Sequence, residues 1–170
     1  MAACVATLLV GVAFGAAGCG DGENSDTPTT PAEAQPWDPC TLSDEVLLAA
    51  TLDPATEGPG LSAEPPGWKH CSWDNHDIGA IIGASATAPA EQFRNDPRNF
   101  QFQDVVVGGR EGFTYLSEIG GEDFCNLVVP FESGGLMNMQ VDRSPFTKDE
   151  TPMCEWAVRV GDGLVAGLPD

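Results

Sequence analysis

The segment Phe124-Cys125-Asn126-Leu127-Val128-Val129, with Leu136-Met137-Asn138-Met139-Gln140-Val141 that follows it, decides the fold of this 170-residue chain. Both segments are rich in apolar residues, and Glu132-Ser133-Gly134-Gly135 between them has the composition of a turn. In the second segment apolar and polar side chains alternate, which is the period of two typical of a strand with one exposed face. The two segments therefore predict an antiparallel hairpin.

More strands are predicted upstream of this hairpin, where short apolar segments are separated by turn residues. They lie at residues 70–73, 78–84, 105–107 and 112–116. The segment at 78–84 is apolar on both faces, as expected for a central strand. The second half of the chain indicates a meander, so we expect an antiparallel sheet of about five strands.

Two helices are predicted, one near each end of the folded part. Ser43 is a suitable N-cap for a short first helix, which ends before Asp53-Pro54. Thr151 is predicted to cap the second helix, with Pro152 in its first position. The apolar residues of this C-terminal helix recur at helical spacing, at Met153, Ala157, Val160, Leu164 and Leu168. The fold class is therefore predicted to be α+β, with both helices packed on the sheet.

The N-terminal sequence has the pattern of a bacterial lipoprotein signal. An apolar run from Val5 to Ala17 leads into Gly18 and Cys19, and it is shorter than the ~20 residues of a membrane-spanning helix. We expect a lipid carrying palmitate to be attached to the Cys19 sulfur, and residues 1–18 to be removed as a signal peptide. The protein would then be anchored through Cys19 to the cell membrane, on its extracytoplasmic face.

Residues 19–36 and 37–170 differ in composition. From Gly20 to Pro36 the chain has no large apolar residue, so this part cannot offset the entropy cost of folding. We predict that residues 19–36 form a lipid-anchored, disordered tether. Apolar residues return at Trp37, and residues 37–170 have a length that suits a single α+β domain.

The cysteines that remain after Cys4 and Cys19 are an even set, which in an exported protein indicates disulfides. Four cysteines allow three pairings. We favour Cys40–Cys71 and Cys125–Cys154, because each closes a loop of about thirty residues and joins a neighbouring helix and strand. A zinc site is the alternative, but the sequence has no Cys-x-x-Cys pair and the expected compartment is oxidising.

The charge of the chain narrows the range of partners. It has 7 basic and 26 acidic residues, for a net charge of −19. Such a surface repels nucleic acid phosphates and gives no electrostatic attraction to an anionic membrane. We therefore expect no nucleic acid partner, and we expect membrane attachment to come from the lipid on Cys19.

Few residues suggest a metal-binding or catalytic role. His70, Asp74 and His76 lie close together in sequence and could offer nitrogen and oxygen ligands to a divalent cation. The simpler interpretation, which we favour, is a polar hairpin in which Asp74 or Asn75 bonds to its own backbone. No arrangement typical of nucleophilic or acid–base catalysis is evident, and no cofactor is predicted.

Five segments carry a family resemblance. They are Trp37-Asp38-Pro39-Cys40-Thr41-Leu42, Cys71-Ser72-Trp73, Val107-Gly108-Gly109-Arg110-Glu111-Gly112, Cys125-Asn126-Leu127-Val128-Val129 and the closing helix with Cys154. With the lipidation signal and the tether, they resemble a set of actinobacterial lipoproteins, the domain of unknown function 3558 family. The resemblance covers nearly the whole chain after Cys19. It implies no activity and no catalytic residue, because none is established for that family.

The favoured interpretation is a noncatalytic binding or accessory domain held outside the membrane, with an envelope protein or a small ligand as its partner. The alternative is a carrier of an apolar envelope ligand, held in a cavity between sheet and helices. The small residues Gly79, Ala80, Gly83, Ala84 and Ala86 would leave room for such a cavity, although tight helix packing explains them equally well. A hydrolase is a third alternative.

Overall fold

The computed structural model describes residues 35–170 of the chain. The predicted signal segment 1–18, Cys19 and all but the end of the predicted tether 19–36 lie outside the described residues. Six strands are present in this part of the chain: β1 (Trp68–Asp74), β2 (Ile78–Ser85), β3 (Asn99–Val107), β4 (Arg110–Ser117), β5 (Phe124–Pro130) and β6 (Leu136–Arg143). They form an antiparallel sheet in the order β1-β2-β6-β5-β4-β3.

The predicted hairpin is the pair β5–β6, and it occupies the centre of the sheet. Met137, Met139 and Val141 are fully buried, as the alternation of side chains predicted, whereas Asn138 and Gln140 on the other face are half-buried. The sheet has six strands rather than about five. The strand predicted at 105–107 is the end of the nine-residue β3.

Three α-helices accompany the sheet in the described residues: α1 (Asp44–Ala49), α2 (Glu91–Asn95) and α3 (Met153–Leu164). Ser43 caps α1 as predicted, because its hydroxyl accepts a hydrogen bond from the backbone N–H of Val46 at 3.4 Å. None of the helices between residues 35 and 170 is long and apolar enough to span a bilayer. The α+β fold class is confirmed.

The predicted start of α3 was wrong by one residue. Pro152, not Thr151, is the N-cap, since its carbonyl accepts hydrogen bonds from the backbone N–H groups of Glu155 and Trp156 at 3.0 and 3.2 Å. Thr151 lies one residue earlier, and its own N–H donates to the Asp149 carboxylate at 2.7 Å. The pattern of N-cap residue types favoured Thr151, but the backbone of Pro152, with φ −55° and ψ 139°, is still extended.

One face of the sheet, which we call the helix face, holds the main core. The buried stripe of α3 packs against β5 and β6 and reaches β3 and β4. The two predicted disulfides are present. Cys125–Cys154 joins β5 to the first turn of α3 with a Cα–Cα distance of 5.1 Å, and Cys40–Cys71 joins the segment before α1 to β1 with a Cα–Cα distance of 5.3 Å.

Helix α1 packs on α3, and glycine allows the two helices to come close. A Cβ atom on Gly163 of α3 would lie 2.3 Å from the Cα of Ala50, which follows α1 directly. A Cβ on Gly161 would instead meet the end of the Leu127 side chain, at 2.5 Å from its Cδ2 atom. Gly163 therefore faces rigid backbone, and Gly161 faces a side chain that can rotate.

This difference predicts unequal effects of two alanine substitutions. Alanine gains ~1 kcal/mol over glycine in helix propensity, but overpacking a tight contact costs about 1–3 kcal/mol. We expect Gly163→Ala to lower the free energy of unfolding by about 1–2 kcal/mol and Gly161→Ala to lower it less. Denaturant unfolding of the two variants measures both values. A Gly163→Ala variant as stable as the parent protein would contradict the close approach of α1 and α3.

Candidate functional site

The second face of the sheet, which we call the aromatic face, carries a smaller apolar cluster. Four of its side chains are buried, those of Phe113, Tyr115, Val128 and Leu136. Helix α2 covers part of this cluster through Phe93, whose ring lies 5.8 Å from that of Tyr115. Burial raises the pKa of Tyr115, and its hydroxyl lies 3.5 Å from the side-chain oxygen of Asn138. The aromatic face is therefore partly covered by α2. Its end farthest from β1 lies beside β3.

Arg94 of α2 lies at this end of the aromatic face. Its guanidinium stands 4.0 Å from the centre of the Phe113 ring and 5.6 Å from that of Phe102, within the range of a cation–π contact. It also pairs with the carboxylate of Asp104 on β3 at 2.5 Å. Asp104 is mostly exposed, so solvent screens this ion pair and it contributes little stability. The contacts of Arg94 position it between the aromatic rings and the edge of the sheet.

Strand β3 is the last strand at one edge of the sheet. Within residues 35–170, no other segment pairs with its outer side. Most of its residues are exposed or half-buried, and 62 % of Val106 is accessible to solvent. An unpaired edge of this kind can accept a further strand, because its outward N–H and C=O groups have no partner in the sheet.

The opposite edge of the sheet, formed by β1, is covered by the chain itself. Gly58 and Ser72 exchange two backbone hydrogen bonds, both of 2.9 Å. The Glu64 carboxylate accepts a hydrogen bond from the backbone N–H of His70 at 2.7 Å, and this contact lowers the pKa of Glu64. The two edges therefore differ, and in the described part of the chain β3 is the exposed one.

Two grooves flank β3, one on each face of the sheet. The aromatic-face groove encloses about 500 Å³, and its lining includes Val106 and Phe113 with Glu91, Asp104 and Glu111. The helix-face groove consists of two adjoining parts of about 720 and 510 Å³ between β3 and the start of α3. Its lining includes Val105 and Val158 with the acidic residues Glu122, Glu150, Glu155 and Asp162. Both grooves thus combine apolar and acidic side chains.

The three residues considered as metal ligands do not form a cluster. His70 stacks on Trp68 with ring centres 5.7 Å apart, and desolvation lowers its pKa despite the nearby Glu64 carboxylate. Asp74 is exposed at the end of β1, and His76 is exposed in the turn that follows. Among residues 35–170 no group of three or more His, Cys, Asp or Glu side chains could hold a metal ion.

The small residues of β2, which were compatible with either a ligand cavity or tight packing, lie against neighbouring side chains at two positions. A Cβ atom on Gly83 would lie 2.7 Å from the His70 ring, and one on Gly79 would lie 3.0 Å from the Asp142 carboxylate. Ala80 and Ala84 face the core and are buried, whereas Ala86 follows the end of the strand. At Gly79 and Gly83 the small residues make room for side chains of β6 and β1.

Sequence reasoning missed the residues around β3. Phe93 and Arg94 lie in residues 89–100, for which the sequence predicted a short helix or an irregular crossover, and Phe102 lies between that stretch and the strand predicted at 105–107. The alternation of aromatic and polar residues in Asn99-Phe100-Gln101-Phe102-Gln103 was the available signal for a strand. A bulge weakens this signal, because the register shifts between Phe100 and Gln103 and Gln101 has a φ of 52°.

The effect of burial on the ionisation of Asp142, which lies on the aromatic face, can be tested by mutation. Asp142 of β6 pairs with Gly79 of β2, and Asp74 of β1 pairs with the same glycine from the other side. Burial raises the pKa of Asp142, and the neighbouring charge of Asp74 raises it further. Since the folded state binds the proton more tightly than the unfolded state, ionisation of Asp142 costs stability above the ordinary carboxyl pKa of 3.8.

We therefore expect Asp142→Asn to raise the midpoint of thermal unfolding at pH 7 by a few degrees. The gain should disappear as the pH falls below 3.8, because the parent carboxyl is then protonated in both states. Glu57→Gln, which changes an exposed carboxylate, is the control and should have little effect. An Asp142→Asn gain that does not vary with pH would show that charge is not its cause.

The comparisons with known proteins identify a family but no activity. No curated protein and no solved structure matches the chain. A family model described as "Protein of unknown function (DUF3558)" matches residues 14–166, which is most of the sequence. The matched region includes all six strands, both disulfides and all of α3. The chain therefore belongs to the DUF3558 family of proteins of unknown function.

Proposed function

We propose that this protein is a lipid-anchored, noncatalytic binding module, displayed on the extracytoplasmic face of an actinobacterial cell membrane. The pattern of residues 1–18 and Cys19 supports the anchor. The disulfides support an oxidising compartment, because such bonds are rare in the cytosol of mesophiles. A tether over residues 19–36 would hold the folded domain away from the lipid headgroups.

The exposed edge of β3 is the observation that carries the proposed binding role. It is the side of the sheet where both grooves meet solvent, whereas the β1 edge is covered by the segment around Gly58. Binding surfaces are most precise when a rigid scaffold holds them. The β3–β4 hairpin is held in this way: the Gly108 N–H donates to the Asp162 carboxylate at 2.8 Å, and Arg110 donates to the carbonyl groups of Leu168 and Pro169.

A carrier of an apolar envelope ligand is the second candidate. The larger part of the helix-face groove, at about 720 Å³, has a volume in the range of small-molecule sites. Its lining includes Phe102, Leu116 and Met153, but also Glu122 and Glu150. We favour a protein partner, because apolar ligands prefer walls with few charges.

The proposed anchor can be tested with two cysteine variants of the full chain. We expect Cys19→Ser to abolish incorporation of an alkyne-labelled palmitate analogue and to move the protein out of the membrane fraction. Cys4→Ser is the matched control, because Cys4 lies in the segment that would be removed with the signal, and it should leave both results unchanged. Labelling of the Cys19→Ser protein at the parent level would contradict lipidation at that residue.

The proposed binding surface can be tested by photocrosslinking in intact cells. A benzophenone amino acid would replace Val106 on β3 or, as the control, Leu48 on α1, because the two residues are 62 % and 63 % exposed. We expect a reproducible crosslinked product from position 106 and none from position 48. The same products from both positions, or none from either, would count against a binding role for this edge.

A further inference from the structure

We infer that the β3 edge binds an extended, basic segment of a partner polypeptide, which adds to the sheet as a further antiparallel or parallel strand. This inference rests on the proposed binding function and names the chemistry of its partner. Three features of the β3 edge support it: the direction of its unpaired backbone groups, the position of the grooves and the distribution of charge.

The turn between β3 and β4 determines which backbone groups of β3 point outward. Gly108 and Gly109 connect the strands, and their φ values of 52° and 89° are those of a type I′ turn. Such a turn closes with a hydrogen bond between the residues on either side of it, here Val107 and Arg110. Hydrogen-bonded pairs alternate along an antiparallel ladder, so the N–H and C=O groups of Val106 and Asp104 point away from β4.

The grooves lie where the side chains of an added strand would go. Successive side chains of a strand point to opposite faces of a sheet, so a strand beside β3 would send them alternately into the aromatic-face groove and the helix-face groove. Val106 and Phe113 provide apolar contact on one face, and Val105 and Val158 provide it on the other. This arrangement matches recognition by strand addition, in which the main chain supplies affinity and pockets for alternate side chains supply specificity.

The charge around β3 favours a basic occupant. Seven carboxylates line the two grooves, those of Glu91, Asp104, Glu111, Glu122, Glu150, Glu155 and Asp162. Three guanidinium groups lie among them, and each already has contacts. Arg94 pairs with Asp104, Arg143 donates to the carbonyl groups of Asp149 and Thr151, and Arg159 lies 4.4 Å over the ring of Trp156. Lysine or arginine side chains of an incoming strand would meet the remaining acidic groups.

A second copy of the chain fits this edge poorly. Two β3 strands placed side by side would bring together two copies of Asp104 and the acidic residues of both pairs of grooves. A charged residue on an edge strand is a known means of preventing such self-pairing. The net charge of −19 opposes association of two copies further. The same charges attract a basic strand.

Fluorescence anisotropy of a labelled peptide tests the inference directly. The probe is Ac-(Lys-Val)4-NH2 carrying a fluorophore on one lysine, titrated with the mature protein. Two matched peptides are the controls: (Glu-Val)4, which reverses the charge, and a (Lys-Val)4 peptide in which every backbone amide is N-methylated, which keeps the charge but has no backbone N–H group to donate to β3 on either edge. We expect each control to bind at least about tenfold more weakly, equivalent to about 1.4 kcal/mol.

Variants of the protein test the same contact by changing β3 and its grooves instead of the peptide. Val106→Pro removes one outward N–H group without removing a hydrogen bond to β4, and proline is tolerated on edge strands. We expect it to weaken binding about tenfold, whereas Val106→Thr, which keeps the N–H, should bind within about twofold of the parent. Glu91→Lys combined with Glu111→Lys should also weaken binding, whereas Glu45→Lys combined with Glu57→Lys, far from β3 in the sequence, should not.

Three results would overturn the inference: no binding of (Lys-Val)4, equal binding of the N-methylated peptide, or equal binding of (Glu-Val)4. Equal binding of the N-methylated peptide would show attraction by charge alone. If Val106→Pro fails to fold, the comparison of the peptides still decides the question. Crosslinking from position 106 in cells together with any of these results would leave the proposed binding function standing and reject strand addition of a basic segment.

Discussion

The packing of α3 against the central hairpin β5–β6 is the contact on which the rest of this structure depends. Leu127 and Met139 of the two central strands are fully buried beneath the helix, together with Val160 and Leu164 from the helix itself. The Cys125–Cys154 disulfide fixes the first turn of α3 to β5, so the helix cannot slide along the strand. With α3 in place, α1 packs on its outer side next to Gly163, and the helix face is closed over its centre.

This one-sided arrangement has a consequence at the edges of the sheet. A helix laid across the central strands covers β5 and β6 well but reaches β3 mainly near Val107, where a Cβ on Gly161 would meet Val107 itself. The end of β3 at Val107 is therefore anchored, and the residues just before it, Gln103 to Val106, have a groove on either side. The Cys40–Cys71 disulfide and the segment around Gly58 close the other edge at β1. In the described part of the chain, the uncovered edge of the sheet is thus that of β3.

Most of the fold could be predicted from the sequence, because it follows from local patterns. Alternation marked the hairpin, helical spacing marked the buried stripe of α3, and the even set of cysteines marked the disulfides. The features that could not be predicted depend on contacts between distant residues. Gly79 and Gly83 were compatible with either a cavity or tight packing, and the outcome depends on the strand register that brings Asp142 and His70 beside them.

The candidate site was hidden for a related reason. Phe100 and Phe102 alternate with polar residues and would share one face of a regular strand, but the bulge at Gln101 separates them. Phe100 is paired with Leu116 of the helix face, and Phe102 belongs to the aromatic cluster. The bulge also limits the regular part of β3 to the residues that follow it, beside the grooves. A single residue in an unusual conformation therefore confines any added strand to the stretch from Gln103 to Val107, where the carboxylates are concentrated on both sides.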